Sequence, residues 1–287
     1  MKLDALNRVK TDGLLLQDFP SSLQDNEEIV LAAIDQNALA FEYASIRLRA
    51  DRSMALKAVM LDVRAIEFVK YDYSDDVEFV LLVVSLYGDS LRFMPPRFRS
   101  DPELILAACQ SGDTALRYAD KILLDDPKFV LKAVKINGMC LNDASDMDKD
   151  DYRIVLAAVK QNGLALPFAS HRLQSNKSIV SAAVQNNVHA LMHVDETFLN
   201  DPDVIALATR HGEGLAFYYA GDQLLGNKHE VWQLLELDGL GLAYLPPQLK
   251  NDPFIIQQAL RQTKEAARYI DHSLLEHPDI KPLLPFF

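Results

Sequence analysis

The sequence predicts an all-α fold, an α-solenoid of about ten 25-residue repeats with degenerate caps, and three observations predict it. Asp or Asn recurs at residues 26, 51, 76, 101, 126, 151, 176 and 201, then, after one extra residue, at 227 and 252. Apolar residues recur three, four, seven and eight positions after each mark. Gly and Pro punctuation falls at fixed distances between the apolar runs. Positions within a repeat are numbered below by their offset from the mark.

The mark itself reads as a helix N-cap, and four of the ten are Asp-Pro (101, 126, 201, 252). The Asp side chain accepts a backbone N–H, and Pro in the first turn loses no hydrogen bond. Apolar offsets 3, 4, 7 and 8 form one stripe of an amphipathic helix. Ala recurs on that stripe at offset 7 (Ala33, Ala58, Ala108, Ala133, Ala158, Ala183, Ala208, Ala259), which predicts close helix approach. Asn137-Gly138, Asn162-Gly163 and Asp238-Gly239, with Gly88, Gly112 and Gly212, stop the helix after about eleven residues, glycine being expected in the left-handed conformation. A small residue at offset 14 and an aromatic one at offset 17 (Tyr43, Phe68, Phe93, Tyr118, Phe168, Tyr244, Tyr269) predict a short second helix packed through its aromatic. Pro95-Pro96 and Pro246-Pro247 end it near offset 18, before a single turn of 3₁₀ type. The unit is thus helix, short helix, turn.

One array is expected over 1–287: a degenerate repeat at 1–25, ten repeats over 26–276, and a truncated cap at 277–287. In the first copy Gly13, Leu16 and Leu23 keep their offsets but Arg8 replaces the buried Ala; the last begins a helix that Pro282 and Pro285 break. No unit this short buries its own apolar face, so neighbours must stack into one continuous core.

Composition narrows the function classes. Apolar residues at 49% and charged residues at 24% suit a packed core rather than disorder. A net charge of −12 disfavours nucleic acid and suits a basic partner or solubility. No apolar run approaches membrane-spanning length, so no membrane partner is expected. Cys109 and Cys140 cannot build a disulfide framework, and MKLDALNRVKTDG is no secretory signal. A cytoplasmic location is expected, or export by a route independent of a signal peptide.

The stretches DYRIVLAAVKQNGLALPFASHRL (151–173), DNEEIVLAAIDQNALAFEYASIRL (25–48) and DPELILAACQSGDTALRYAD (101–120) resemble the bacterial and protist repeat called domain of unknown function 4116. The resemblance runs over roughly 26–275; Asp143 and His193 depart from it at the aromatic position. It carries no catalytic residues, and its occurrence in bacteria that live inside other cells implies a translocated effector.

Candidate sites follow from residue types. His189 and His193, four apart on a helix with Asp195 near, could begin a zinc site, but no third ligand has a recognisable spacing; a polar patch is the plainer reading. DASDMDKDD (143–151) alternates acids like a calcium loop but lacks its Gly and Glu, and reads as a solvated acidic turn. Cys109, Cys140 and Trp232 occupy core offsets. Arg47, Arg97 and Arg172 at offset 21, with Arg49, Arg99 and Lys250 at offset 23, are expected to pair with acids at offsets 0 and 2 of the next repeat. No phosphate-cradling glycine motif occurs, and no metal or other cofactor is expected.

The leading function is a non-enzymatic scaffold that binds another protein through variable solvent-facing positions, offsets 9, 10 and 13 among them. Lys160, His189, His193 and Arg210 are the partner-binding candidates, a local reversal of charge in an acidic chain. The alternative is an enzyme or enzyme modulator with a site near the irregular repeats five to seven.

Overall fold

The computed structural model describes residues 2–112 and 114–284, and no strand occurs among them. The chain divides into two compact units, Met1–Phe129 and Val130–Phe287. Each unit is a stack of helical repeats with the core between successive long helices, the arrangement of an α-solenoid.

The capping reading holds at every mark. Asn26, Asp51, Asp76, Asp101, Asp126, Asp151, Asn176, Asp201, Asn227 and Asp252 all accept a backbone N–H two or three residues on. Long helices follow, such as Glu27–Gln36, Pro102–Ser111, Tyr152–Gln161 and Lys177–Asn186. Offsets 3, 4, 7 and 8 are buried, Ile154, Val155, Ala158 and Val159 at no more than 1% exposure. Cys109 and Cys140 lie in the core as expected.

The second half of the repeat inverts the expected order. The short helix is itself 3₁₀ (Ala38–Tyr43, Gly163–Phe168, Val188–His193, Gly239–Tyr244), and the turn after it is α-helical (Ile46–Arg49, His171–Gln174, Glu196–Leu199). In most repeats an Asn or Asp at offset 11 starts the 3₁₀ segment, although Gly88–Phe93 forms behind Tyr87 without such a bond. Asn162 is extended (φ −146°, ψ 110°), and its side chain accepts the N–H of Leu164 while its carbonyl accepts that of Ala165. Side-chain bonding to the backbone two residues on starts a three-residue turn, not an α-turn. Burial then falls at offsets 14 and 15, as in Ala165 and Leu166, and Phe168 at offset 17 is only half-buried. The aromatic ladder is a partly exposed shelf, and the residue at offset 15 is the true anchor.

The glycines answer to packing, not to left-handed backbone. Gly13, Gly88, Gly138, Gly163 and Gly239 all have ordinary φ. A Cβ on Gly138 would stand 2.4 Å from the carbonyl oxygen of Ala158 in the next repeat, and Gly163 meets Ala183 in the same way at 2.3 Å. The next repeat also reaches back. Gln161 accepts the Gly138 N–H at 2.6 Å and donates to the Ile136 carbonyl at 3.0 Å. Asn186 and Gln262 hold Gly163 and Gly239 in this way, and Gln36 accepts the Gly13 N–H. Where offset 12 is Ala38 or Val63, the facing offset 10 is Leu61 or Leu86. Leu61 and Leu86 stay half-exposed, so offset 10 is structural where it faces a glycine and lies at the surface elsewhere.

Positive φ among the described residues is confined to Gly212, Glu213 and Gly214. They absorb the extra residue of the repeat beginning at Asp201, whose long helix stops at Ala208 and whose second helix is α-helical, Leu215–Tyr219. Buried Asp238 steadies this turn, accepting the Gly214 N–H at 2.8 Å. At the ends, Lys2–Thr11, Gly13–Asp18 and Ser21–Gln24 make a full first repeat, with Arg8 exposed against the ring of Phe19. The helix expected after His277 is absent among the described residues; a 3₁₀ turn, Lys281–Leu283, stands there with Ile280 buried, and Pro285 lies outside the described residues.

Two comparisons test this packing. Gly138→Ala should destabilise by about 1–3 kcal/mol through overpacking, although its φ suits alanine; equal denaturation midpoints would refute the close approach. Leu166→Ala should cost about 2–5 kcal/mol, more than Phe168→Ala in the same urea titration.

Candidate functional site

The stripe that faces the core leaves the opposite side of each long helix to solvent, and offsets 1, 2, 5 and 9 lie there. Offset 5 carries half-buried apolar residues, Leu131, Leu156 and Trp232 among them. Trp232 is thus not a core residue: its ring stacks at 6.0 Å and 17° on Phe254, itself half-exposed. Within the unit Val130–Phe287 this face is grooved. A cavity of about 570 Å³ has Leu131, Leu156 and Ala157 as its floor. Lys135, Lys160 and Arg153 stand on its rim with the exposed phenol of Tyr152.

The electrostatics of the groove are one-sided. The helices Pro127–Ile136 and Tyr152–Gln161 carry Lys128, Lys132, Lys135, Arg153 and Lys160 and no acid. Arg153 is held by Asp151 at 3.0 Å. Neither Lys135 nor Lys160 forms an ion pair or side-chain hydrogen bond among the described residues.

The partner-binding candidates divide between two surfaces. Lys160 and Arg210 share offset 9, Lys160 on a long helix and Arg210 on the 3₁₀ turn Thr209–His211 that follows one, and they line different cavities, Arg210 standing with Asp203, Ala206 and Leu237. His189 and His193 lie on the 3₁₀ segment Val188–His193. At about three residues per turn, side chains four apart point some 120° away from each other, so the two imidazoles do not share a face. His189 instead meets Tyr219, Nδ1 to Oη 2.8 Å. No group of three or more His, Cys, Asp or Glu able to hold a metal ion occurs among the described residues.

Asp148, Asp150 and Asp151 of the 143–151 segment are engaged structurally. Ser145 and Asp148 form a reciprocal cap, the Ser145 hydroxyl donating to Asp148 at 2.6 Å and accepting its N–H at 3.2 Å. Asp150 receives Arg172 at 3.0 Å and the Ser170 hydroxyl, and these donors hold its carboxyl below the usual range. Asp25 receives Arg47 and Ser45 likewise, and Arg97 reaches Asp75 at 2.8 Å. The offset-21 arginines therefore pair backward, onto the acid just before their own repeat's cap, because the α-helical turn folds back over that cap. Of the offset-23 residues, Arg49 and Arg99 bury Nε without a hydrogen-bond partner, and Lys250 donates to the Ala243 carbonyl.

The family model described as domain of unknown function (DUF4116) matches residues 4–49, 26–73, 76–124, 126–174 and 151–199. Each match spans two successive repeats. The matches begin in the degenerate first copy and stop before the three repeats that start at Asp201, Asn227 and Asp252. No curated protein and no solved structure matches the chain. No helix among the described residues is long and apolar enough to cross a membrane.

Two outcomes follow from the engaged acids. Calcium at about 1 mM, enough for weak carboxylate sites, should leave the melting temperature unchanged; a rise would mean the loop binds it. Asp150 has its carboxyl lowered, so it stabilises the fold above the ordinary carboxylate range, and the contribution is lost as pH falls through the lowered value. The stability gap between wild type and Arg172→Ala should be open above about pH 4 and close below it, as circular dichroism would read.

Proposed function

The chain belongs to the family of the domain of unknown function (DUF4116), and from that premise we propose that it is a non-enzymatic scaffold binding another protein through the outer face of its long helices. The observation that carries this reading is the division of labour within the repeat. Offsets 3, 4, 7, 8, 14 and 15 hold the stack together, and the outer offsets change residue from repeat to repeat. At offset 9 the series runs Lys135, Lys160, Gln185, Arg210 and Glu236, a surface varied in charge on an invariant frame. Such surfaces suit recognition, since partner selection rests on side chains the fold does not use.

The enzyme alternative requires titratable groups that converge. Near the irregular repeats the charged groups that meet, such as Arg172 on Asp150, are ion pairs that hold the turns, and His189 against Tyr219 is a pair whose side chains have no other hydrogen bond among the described residues. It is too sparse to support a reaction.

The test is affinity capture with the full chain as bait, followed by the variant Lys160→Glu/Arg210→Glu at matched melting temperature. A captured protein should bind the variant more slowly and with weaker salt dependence, as expected for rim charges. Undiminished binding at low salt would place the partner on another face.

A further inference from the structure

We propose that the groove between Leu131 and Gln161 takes an acidic peptide segment of a partner protein, one that presents an aliphatic side chain between two carboxylates; this rests on the scaffold reading above. The floor is aliphatic, from Leu131, Leu156 and Ala157, and the rim is cationic, from Lys135 and Lys160. The two lysines share offset 9 of consecutive repeats, so their separation is about one helix-packing distance, 8–10 Å. A polyproline II segment has three residues per turn and rises about 3.1 Å per residue, so acids three apart share one face about 9 Å from each other. Such a pair matches the two ammonium groups, and a Leu or Ile between them turns toward the floor.

Charge complementarity selects this occupant. In the helices Pro127–Ile136 and Tyr152–Gln161 every charged residue is basic, while the connection between them carries Asp143, Asp146, Asp148, Asp150 and Asp151. Asp148, Asp150 and Asp151 are drawn into caps and ion pairs on the turn edge. Lys135 and Lys160 have no such partner among the described residues, so each offers a full charge beside an apolar floor. Flexible lysines also bind carboxylates without demanding one geometry. A nucleic acid strand would exploit the charge but not the aliphatic floor, since bases call for stacking rings and Tyr152 is the one aromatic residue there.

The experiment is fluorescence anisotropy on the full-length protein with three probes: a labelled peptide repeating Glu-Leu-Glu-Glu, its Lys-for-Glu counterpart, and a single-stranded oligonucleotide. The acidic peptide alone should bind, with affinity falling as salt rises. Lys135→Glu should weaken it about tenfold at low salt, and Leu156→Gln should weaken it at every salt concentration. Binding of the oligonucleotide that depends on Lys135 and not on Leu156 would overturn the proposal in favour of a simple polyanion surface. So would acidic-peptide binding indifferent to both substitutions. If Leu156→Gln fails to fold, Lys135→Glu and Lys135→Gln, at an exposed position, carry the test. Should Lys160→Glu/Arg210→Glu lose a captured partner while Lys135→Glu and Leu156→Gln leave peptide binding unchanged, the scaffold reading survives and the groove assignment falls.

Discussion

The stack depends on one close approach, the backbone at offset 12 of a repeat against the alanine carbonyl at offset 7 of the next. At Gly138 there is no room for a side chain, and Ala158 opposite it is fully buried. At the glycine-bearing joints any added carbon would separate two backbones that pack directly, whereas Ala38, Val63 and Val188 stand at this offset elsewhere. The approach would leave the glycine N–H in a crowded, dry crevice, so the following repeat supplies an amide to accept it, Gln161 for Gly138 and Asn186 for Gly163. A short, rigid 3₁₀ segment, launched by the Asn or Asp at offset 11, delivers the glycine to that position.

This constraint explains where freedom remains. Offset 10 looks like a polar surface position, yet where it faces a glycine of the preceding repeat it accepts that backbone N–H. On the outer side of the long helices nothing comparable is imposed. That side carries the half-buried leucines of offset 5 and the varied charges of offset 9, and the proposed scaffold function draws on it.

Much of this was legible in the linear pattern. The marks predicted ten side-chain caps, and the structure has all ten. The buried stripe and the core placement of Cys109 and Cys140 followed from period alone. The candidate site was less legible. Lys160 was visible as a cation out of character with its surroundings, but its association with Lys135, Leu131 and Leu156 depends on adjacency between repeats. His189 and His193 were placed on one face by assuming an α-helical period, and the 3₁₀ segment turns them apart. Trp232 was assigned to the core because it replaces leucines that are themselves only half-buried.

What the sequence by itself determined is the repeat, its length, its caps and the stripe each helix buries, because these are local properties repeated until chance is an inadequate explanation. Tertiary structure alone decided why glycine stands at offset 12, which way the arginines of offset 21 turn, and which polar residues are structural. Those answers concern atoms 20 or more residues apart, such as Gly138 and Ala158 or Arg172 and Asp150. A one-dimensional pattern records that such residues recur together, and only the packed repeats show which backbone each one meets.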